Sequence, residues 1–179
     1  MRKSTLLLAS VTLAVLLASG VALAKAINGG PGNDTLVGTS KADNMRGYAG
    51  DDTMRSKGGD DTMRGYDGVD DMLGYGGDDV IYGGEDADTL RGNEGQDRLY
   101  GGPGNDTIYG GDGQDLANGG GDNDEIHAGG GRDKIFTGRG DNETIYARDG
   151  QRDVICVGGS EGGALFADRK DEFRVNCGP

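Results

Sequence analysis

Gly101-Gly102-Pro103-Gly104-Asn105-Asp106-Thr107-Ile108-Tyr109 nearly restates Gly29-Gly30-Pro31-Gly32-Asn33-Asp34-Thr35-Leu36-Val37. Between the two stretches the chain divides into nines without an insertion, and the division continues to Phe136, giving twelve rows from Gly29. Position 6 is Asp in all twelve: Asp34, Asp43, Asp52, Asp61, Asp70, Asp79, Asp88, Asp97, Asp106, Asp115, Asp124 and Asp133. Position 8 is large and apolar in eleven rows, from Leu36 and Met45 to Ile126 and Ile135, with Ala117 the exception. Position 1 is Gly in ten rows and position 4 in nine. Gly at positions 1 and 4 is expected to supply positive φ for a tight turn. Positions 7 to 9 then predict a strand of about three residues, with position 8 inward and its neighbours outward.

Composition separates two readings. The chain has 38 Gly in 179 residues, about three times ordinary usage, with a formal charge of −13 and no Trp. Few apolar residues and high charge describe disordered chains. A fixed short period describes a repeat architecture instead, and the unbroken register favours it. The acidic balance argues against nucleic acid and anionic membranes, which would repel it, and favours cations as partners.

Residues 1–24 read as a cleaved export signal. Arg2 and Lys3 precede an apolar run, Leu6 to Ala18, that is too short to span a bilayer comfortably. Ala22-Leu23-Ala24 is a small-x-small cleavage site, which places the mature start near Lys25. Loss of Arg2 and Lys3 takes the charge from −13 to −15. No transmembrane span is expected in the mature chain, and the expected location is extracellular. Cys156 and Cys177 would then reach a compartment where a disulfide persists.

The nonapeptide resembles the repeats-in-toxin (RTX), or hemolysin-type, calcium-binding family, whose pattern is G-G-x-G-x-D-x-U-x with U apolar. The resemblance covers the twelve rows, 108 residues. It implies an all-β fold: a right-handed parallel β-roll, in which successive rows lie on opposite sides of a flattened coil and two rows make one turn. Same-side rows would stack about 4.8 Å apart, so six coils give a rod roughly 28 Å long. RTX toxins, proteases and lipases carry a separate effector domain and a C-terminal export signal. Neither is evident here, so toxin activity does not transfer.

Stacking of this kind sorts the position-6 residues into two columns, Asp34 through Asp124 and Asp43 through Asp133, each taking every second row. Neighbouring carboxylates about 5 Å apart repel by roughly 3 kcal/mol at an effective dielectric near 20. Calcium between them reverses that cost, since it takes six to eight oxygens at about 2.3–2.6 Å, and the Gly-rich turns can add carbonyls. Magnesium demands a tighter octahedron. Zinc lacks its usual His and Cys ligands here. All twelve Asp are therefore candidate calcium ligands, with about ten ions the ceiling. The gap between Asp43 and Asp61 is expected to be the weakest, because Lys41 and Ser56-Lys57 replace turn residues. Asp86 and Asp122 replace Gly at position 4, which predicts local strain and two further oxygens. The calcium-free repeats are expected to be disordered.

Residues 25–136 thus form the expected calcium-binding roll, and 137–179 degenerate coils with a C-terminal cap. Thr137–Tyr146 and Ala147–Cys156 each read as ten residues, with Asn142 standing for Asp in the first and Asp153 one place late in the second. Residues from Val157 onward are expected to cover the open end. A Cys156–Cys177 disulfide would staple that cap, worth roughly 3 kcal/mol if unstrained.

No catalytic set is expected. His127 at position 9 reads as a surface-strand residue without an identifiable partner for base chemistry. Met45, Met54, Met63 and Met72 read as core filler. Arg46, Arg55, Arg64 and Arg91, with Tyr82, Tyr100 and Tyr109, all at position 9, read as outward ladders. They leave open a polysaccharide or surface-protein partner. The sequence reads first as a noncatalytic extracellular calcium binder, and second as a calcium-dependent adhesin or matrix component.

Overall fold

The computed structural model describes residues 25–140, 142–158 and 163–175. The expected export signal, residues 1–24, and Cys177 lie outside them. The strands are β1 Lys25–Asn28, β2 Thr35–Val37, β3 Asp43–Ala49, β4 Thr53–Arg55, β5 Thr62–Asp67 and β6 Asp71–Gly76. They continue as β7 Val80–Glu85, β8 Thr89–Glu94, β9 Arg98–Pro103, β10 Thr107–Gly113, β11 Leu116–Gly121 and β12 Glu125–Gly131. The last are β13 Lys134–Gly138, β14 Thr144–Ala147, β15 Val154–Val157, β16 Ala164–Ala167 and β17 Glu172–Val175. The described residues contain no helix.

Two sheets result. The odd-numbered strands form a nine-stranded first sheet, and the even-numbered strands an eight-stranded second sheet. Every pairing is parallel and joins strands two apart in sequence, so the chain winds between the sheets as a parallel β-solenoid of about eight coils. Pairing is 18 residues apart through the regular rows: Met45 sits beside Met63, Ile81 beside Leu99, and Leu90 beside Ile108. Two rows per coil follow directly.

The core is the position-8 residues of both sheets. Met45, Met54, Met63, Met72, Ile81 and Leu90 are fully buried, and so are Leu99, Ile108, Ile126 and Ile135. Ala117 joins them at 2 % exposure. The four Met are packed filler, as their position required. Position 9 faces outward, where Tyr82 stacks on Tyr100 at 5.0 Å and Arg64 lies over Tyr82.

Three details differ from the sequence expectation. The strands are mostly six or seven residues long instead of three, because pairing continues past position 9 into positions 1 to 3 of the next row. Positive φ falls at positions 2 and 4, not 1 and 4. Gly102 and Gly104 show it, and so do non-glycine residues at the same places: Tyr48, Lys57, Tyr66, Tyr75, Asp86, Asn93 and Asp122. Asp86 and Asp122 thus carry the expected strain. Position 1 stays extended and needs Gly for room. A Cβ at Gly83 would overlap Asp88 Oδ2 and crowd the Gly101 carbonyl.

The third difference concerns the C-terminal segment. It does not fold over the open end. β16 pairs with β14, and β17 with β15, so both extend the two sheets by another coil. Leu165 and Phe173 occupy core registers beside Ile145 and Ile155, yet are 43 % and 49 % exposed, as the last members of a stack must be. The two ten-residue rows appear as longer offsets: Glu125 pairs with Thr144, and Lys134 with Val154. Cys156 is buried within β15.

Candidate metal centre

Position 6 ends the turn just before the strand begins, and its side chain points inward at the edge of the core. Of the twelve Asp, all but Asp34 are buried, from Asp43 at 4 % exposure to Asp79 at 0 %. They form the two expected columns. In each column the backbone N–H of one Asp donates to Oδ1 of the Asp a coil later. Asp52 donates to Asp70, Asp70 to Asp88 and Asp88 to Asp106, each at 2.8 Å. In the other column Asp61 donates to Asp79 and Asp79 to Asp97, also at 2.8 Å. The Asp carbonyl meanwhile accepts from position 7 of the next coil, as Asp88 does from Thr107 at 2.8 Å. One side chain per coil therefore links adjacent turns.

The second oxygen is treated differently. Gly30 N–H donates to Asp34 Oδ2, and the Thr39 amide and hydroxyl donate to Asp43 Oδ2. From Asp52 and Asp61 onward, Oδ2 of each of the ten remaining Asp is buried without a hydrogen-bond partner. An unpaired buried carboxylate oxygen is costly, because desolvation penalises the charge. Burial accordingly raises these acids, with neighbouring carboxylates adding to it and the amide donors partly offsetting it. Asp79 is pushed up to about 7, Asp88 and Asp124 to about 8, and Asp115 and Asp133 to about 7.

In eight of these ten rows the orphan oxygen faces the position-1 Gly of its own row, which also meets the position-1 carbonyl a coil later. Gly65 lies against Asp70 Oδ2 and the Gly83 carbonyl, and Gly92 against Asp97 Oδ2 and the Gly110 carbonyl. The donors gathered here are all oxygen, which suits a hard cation. Among the described residues no three His, Cys, Asp or Glu side chains converge on one point. An ion in either column would thus draw on few carboxylates and complete its shell from carbonyls.

The columns outrun the twelve rows. Asp124 N–H donates to Glu143 Oε2 at 3.0 Å, so Glu143 takes the position assigned above to Asn142, which is exposed. The extra residue of that row lies in the turn, ahead of position 6. Counting back from Ile145, the next core residue, would have found Glu143. Asp133 N–H donates to Asp153, and Asp153 N–H to Asp171, which extends the other column two further steps. Position 5 was also missed. Asp51 accepts from the amide of Val69, Asp60 from Asp78, and Asp78 from Gln96, forming an exposed second ladder in the turns. Near the gap expected to be weakest, Ser56 is fully buried at position 1, and its hydroxyl donates to the Gly74 carbonyl at 2.6 Å.

His127 has a partner after all: Nε2 lies 2.9 Å from Glu125 Oε1, and its ring is stacked between Tyr109 and Tyr146. Both are half-buried neighbours on β12.

The family model for the RTX calcium-binding nonapeptide repeat, four copies long, matches residues 28–63, 57–81, 64–99, 82–117, 91–126 and 109–144. These matches span most of the chain. No curated protein matches it significantly.

Proposed function

Because the chain belongs to the RTX calcium-binding nonapeptide repeat family, we propose that it is a secreted, noncatalytic calcium binder that folds when it meets extracellular calcium. The ligands are the position-6 Asp, from Asp34 and Asp43 to Asp124 and Asp133, with position-1 carbonyls completing each shell. One observation carries the assignment: ten buried carboxylate oxygens with no hydrogen-bond partner, aligned in two columns. A dication supplies the counter-charge that burial demands. Calorimetric titration of residues 25–179 tests it. Saturable heats with calcium, and much weaker ones with magnesium, are expected; a flat calcium isotherm would end the proposal.

The segment 1–24 is assigned to export, and Cys156 to a disulfide with Cys177.

A second reading, a calcium-dependent adhesin of the cell surface or matrix, draws on the outer face of the second sheet. There Tyr109, His127, Tyr146 and Phe166 stack in one file at 4.4–5.0 Å. Retention on polysaccharide or surface-protein resin in calcium, and release by chelator, separates this reading from simple calcium binding.

A further inference from the structure

The outer face of the first sheet differs from the rest of this acidic molecule. Its outward positions are 7, 9 and 2. From Asn44 to Gly158 none of them is Asp or Glu, in a chain with 31 acidic residues. The charges they do carry are positive: Arg46, Arg64, Arg98 and Lys134. The corresponding face of the second sheet has Asp71 and Glu125, each already paired.

A trough of about 840 Å³ lies on this face. Its origin is legible in the strands. β11 carries Asn118 at position 9, where β9 carries Tyr100 and β13 carries Phe136. The shorter side chain leaves a dip between two rings. Gly102, Gly120 and Gly138, aligned at position 2, extend the dip along the stacking direction. Arg139 lies at its margin, and exposed Arg98 and Lys134 stand on the two wall strands at position 7. Tyr100 and Phe136 are two coils apart, about 9.6 Å at the usual strand spacing.

We propose that this trough binds an acidic polysaccharide, a linear chain of carboxylated sugars. Tyr82 covers one face of the Tyr100 ring, so a sugar ring seated over Asn118 would lay its C–H face on the other, electron-rich face, with Phe136 forming the far wall. The Asn118 amide offers both a donor and an acceptor to ring hydroxyls. Arg98, Lys134 and Arg139 would take the carboxylates, with Arg able to hold one through two parallel bonds. The cavity size suits a ligand of a few rings. The absence of acids at these outward positions from Asn44 to Gly158 lets a polyanion approach a molecule whose overall charge would repel it. The proposal gives the adhesin reading a ligand and a further place, on the sheet opposite the Tyr109–Phe166 file, and it needs only a folded rod.

The test is calorimetry of the full chain in millimolar calcium with tetragalacturonate, and with maltotetraose as the neutral probe. Binding of tetragalacturonate is expected, with maltotetraose at least about tenfold weaker. The double variants Arg98→Glu/Lys134→Glu and Tyr100→Ala/Phe136→Ala should each lose at least about tenfold while keeping the calcium-dependent circular dichroism spectrum. If the aromatic pair loses its β signal, Asn118→Trp fills the trough from its floor and gives the same readout. Equal affinity for the two sugars, wild-type affinity in folded variants, or no binding by the folded chain would each overturn the proposal. In the last case a normal calcium isotherm leaves the calcium reading standing. A chain that binds no calcium and stays unfolded fails on that earlier ground.

Discussion

At the scale of single residues, Asp88 shows the conflict that a bound dication would resolve. Its Oδ1 is held by the Asp70 amide, while Oδ2 is buried without a partner, and burial pushes its pKa up to about 8. Asn at this position keeps the amide acceptor and removes the charge. Asp88→Asn should therefore make the calcium-free chain more stable in a urea titration and lower its calcium stoichiometry. The same logic fixes the pH dependence. These carboxylates hold protons more tightly folded than unfolded, so the stability gained from protonation is complete below the unfolded value of 3.8. It is lost as pH rises through the folded values of about 6 to 8. In chelator, β circular dichroism should grow as pH falls from 8 towards 5. In calcium, protons compete with the ion, and apparent affinity should fall over the same range. A third residue test concerns Lys57, which sits at φ 86 where the later coils of the same sheet place Gly111 and Gly129. Lys57→Gly should raise stability in calcium by about 0.5–1 kcal/mol, the left-handed penalty less the entropy of the added Gly.

At the scale of the element, each row contributes one inward apolar residue, so the core is only two files wide. Ile108 is fully buried beside Leu90 and Ile126. Ile108→Ala should cost about 2–5 kcal/mol in calcium, read from urea denaturation, since stacked coils cannot close sideways on the cavity. The strand rule of alternating sides was legible in the sequence because position 8 is apolar in nearly every row. The lengthening of the strands was not. Backbone pairing past position 9 leaves no mark in residue type where positions 1 to 3 are mostly Gly. The role of the position-1 Gly was hidden for a related reason: Gly answers both a need for positive φ and a need for space. Only the approach of Asp Oδ2 and a neighbouring carbonyl tells them apart. Gly83→Ala should accordingly weaken calcium binding and stability together, whereas a merely conformational Gly would affect stability alone.

At the scale of the whole molecule, the solenoid is a spring of like charges with a thin core. Chelator should abolish its β spectrum, and calcium should restore it as a cooperative transition. Small-angle scattering of the calcium-loaded chain should report a rod with about eight coils, roughly 38 Å along its axis. A spectrum indifferent to chelator would show that backbone pairing suffices without the ion. The sequence by itself determined the period, the inward residue of each row, the pairing of rows into coils and the two columns of Asp. It could do so because a repeating unit meets copies of itself, and every contact recurs at a fixed offset. The tertiary structure alone decided what the repeat does where it falters. Glu143 takes over from Asn142 because side-chain reach, not residue count, completes the column. The last segment joins the sheets because open strand edges offer hydrogen bonds that a folded-over loop would forgo. The trough over Asn118 exists because one short side chain lies between two rings that the sequence keeps 36 residues apart and stacking brings within two coils.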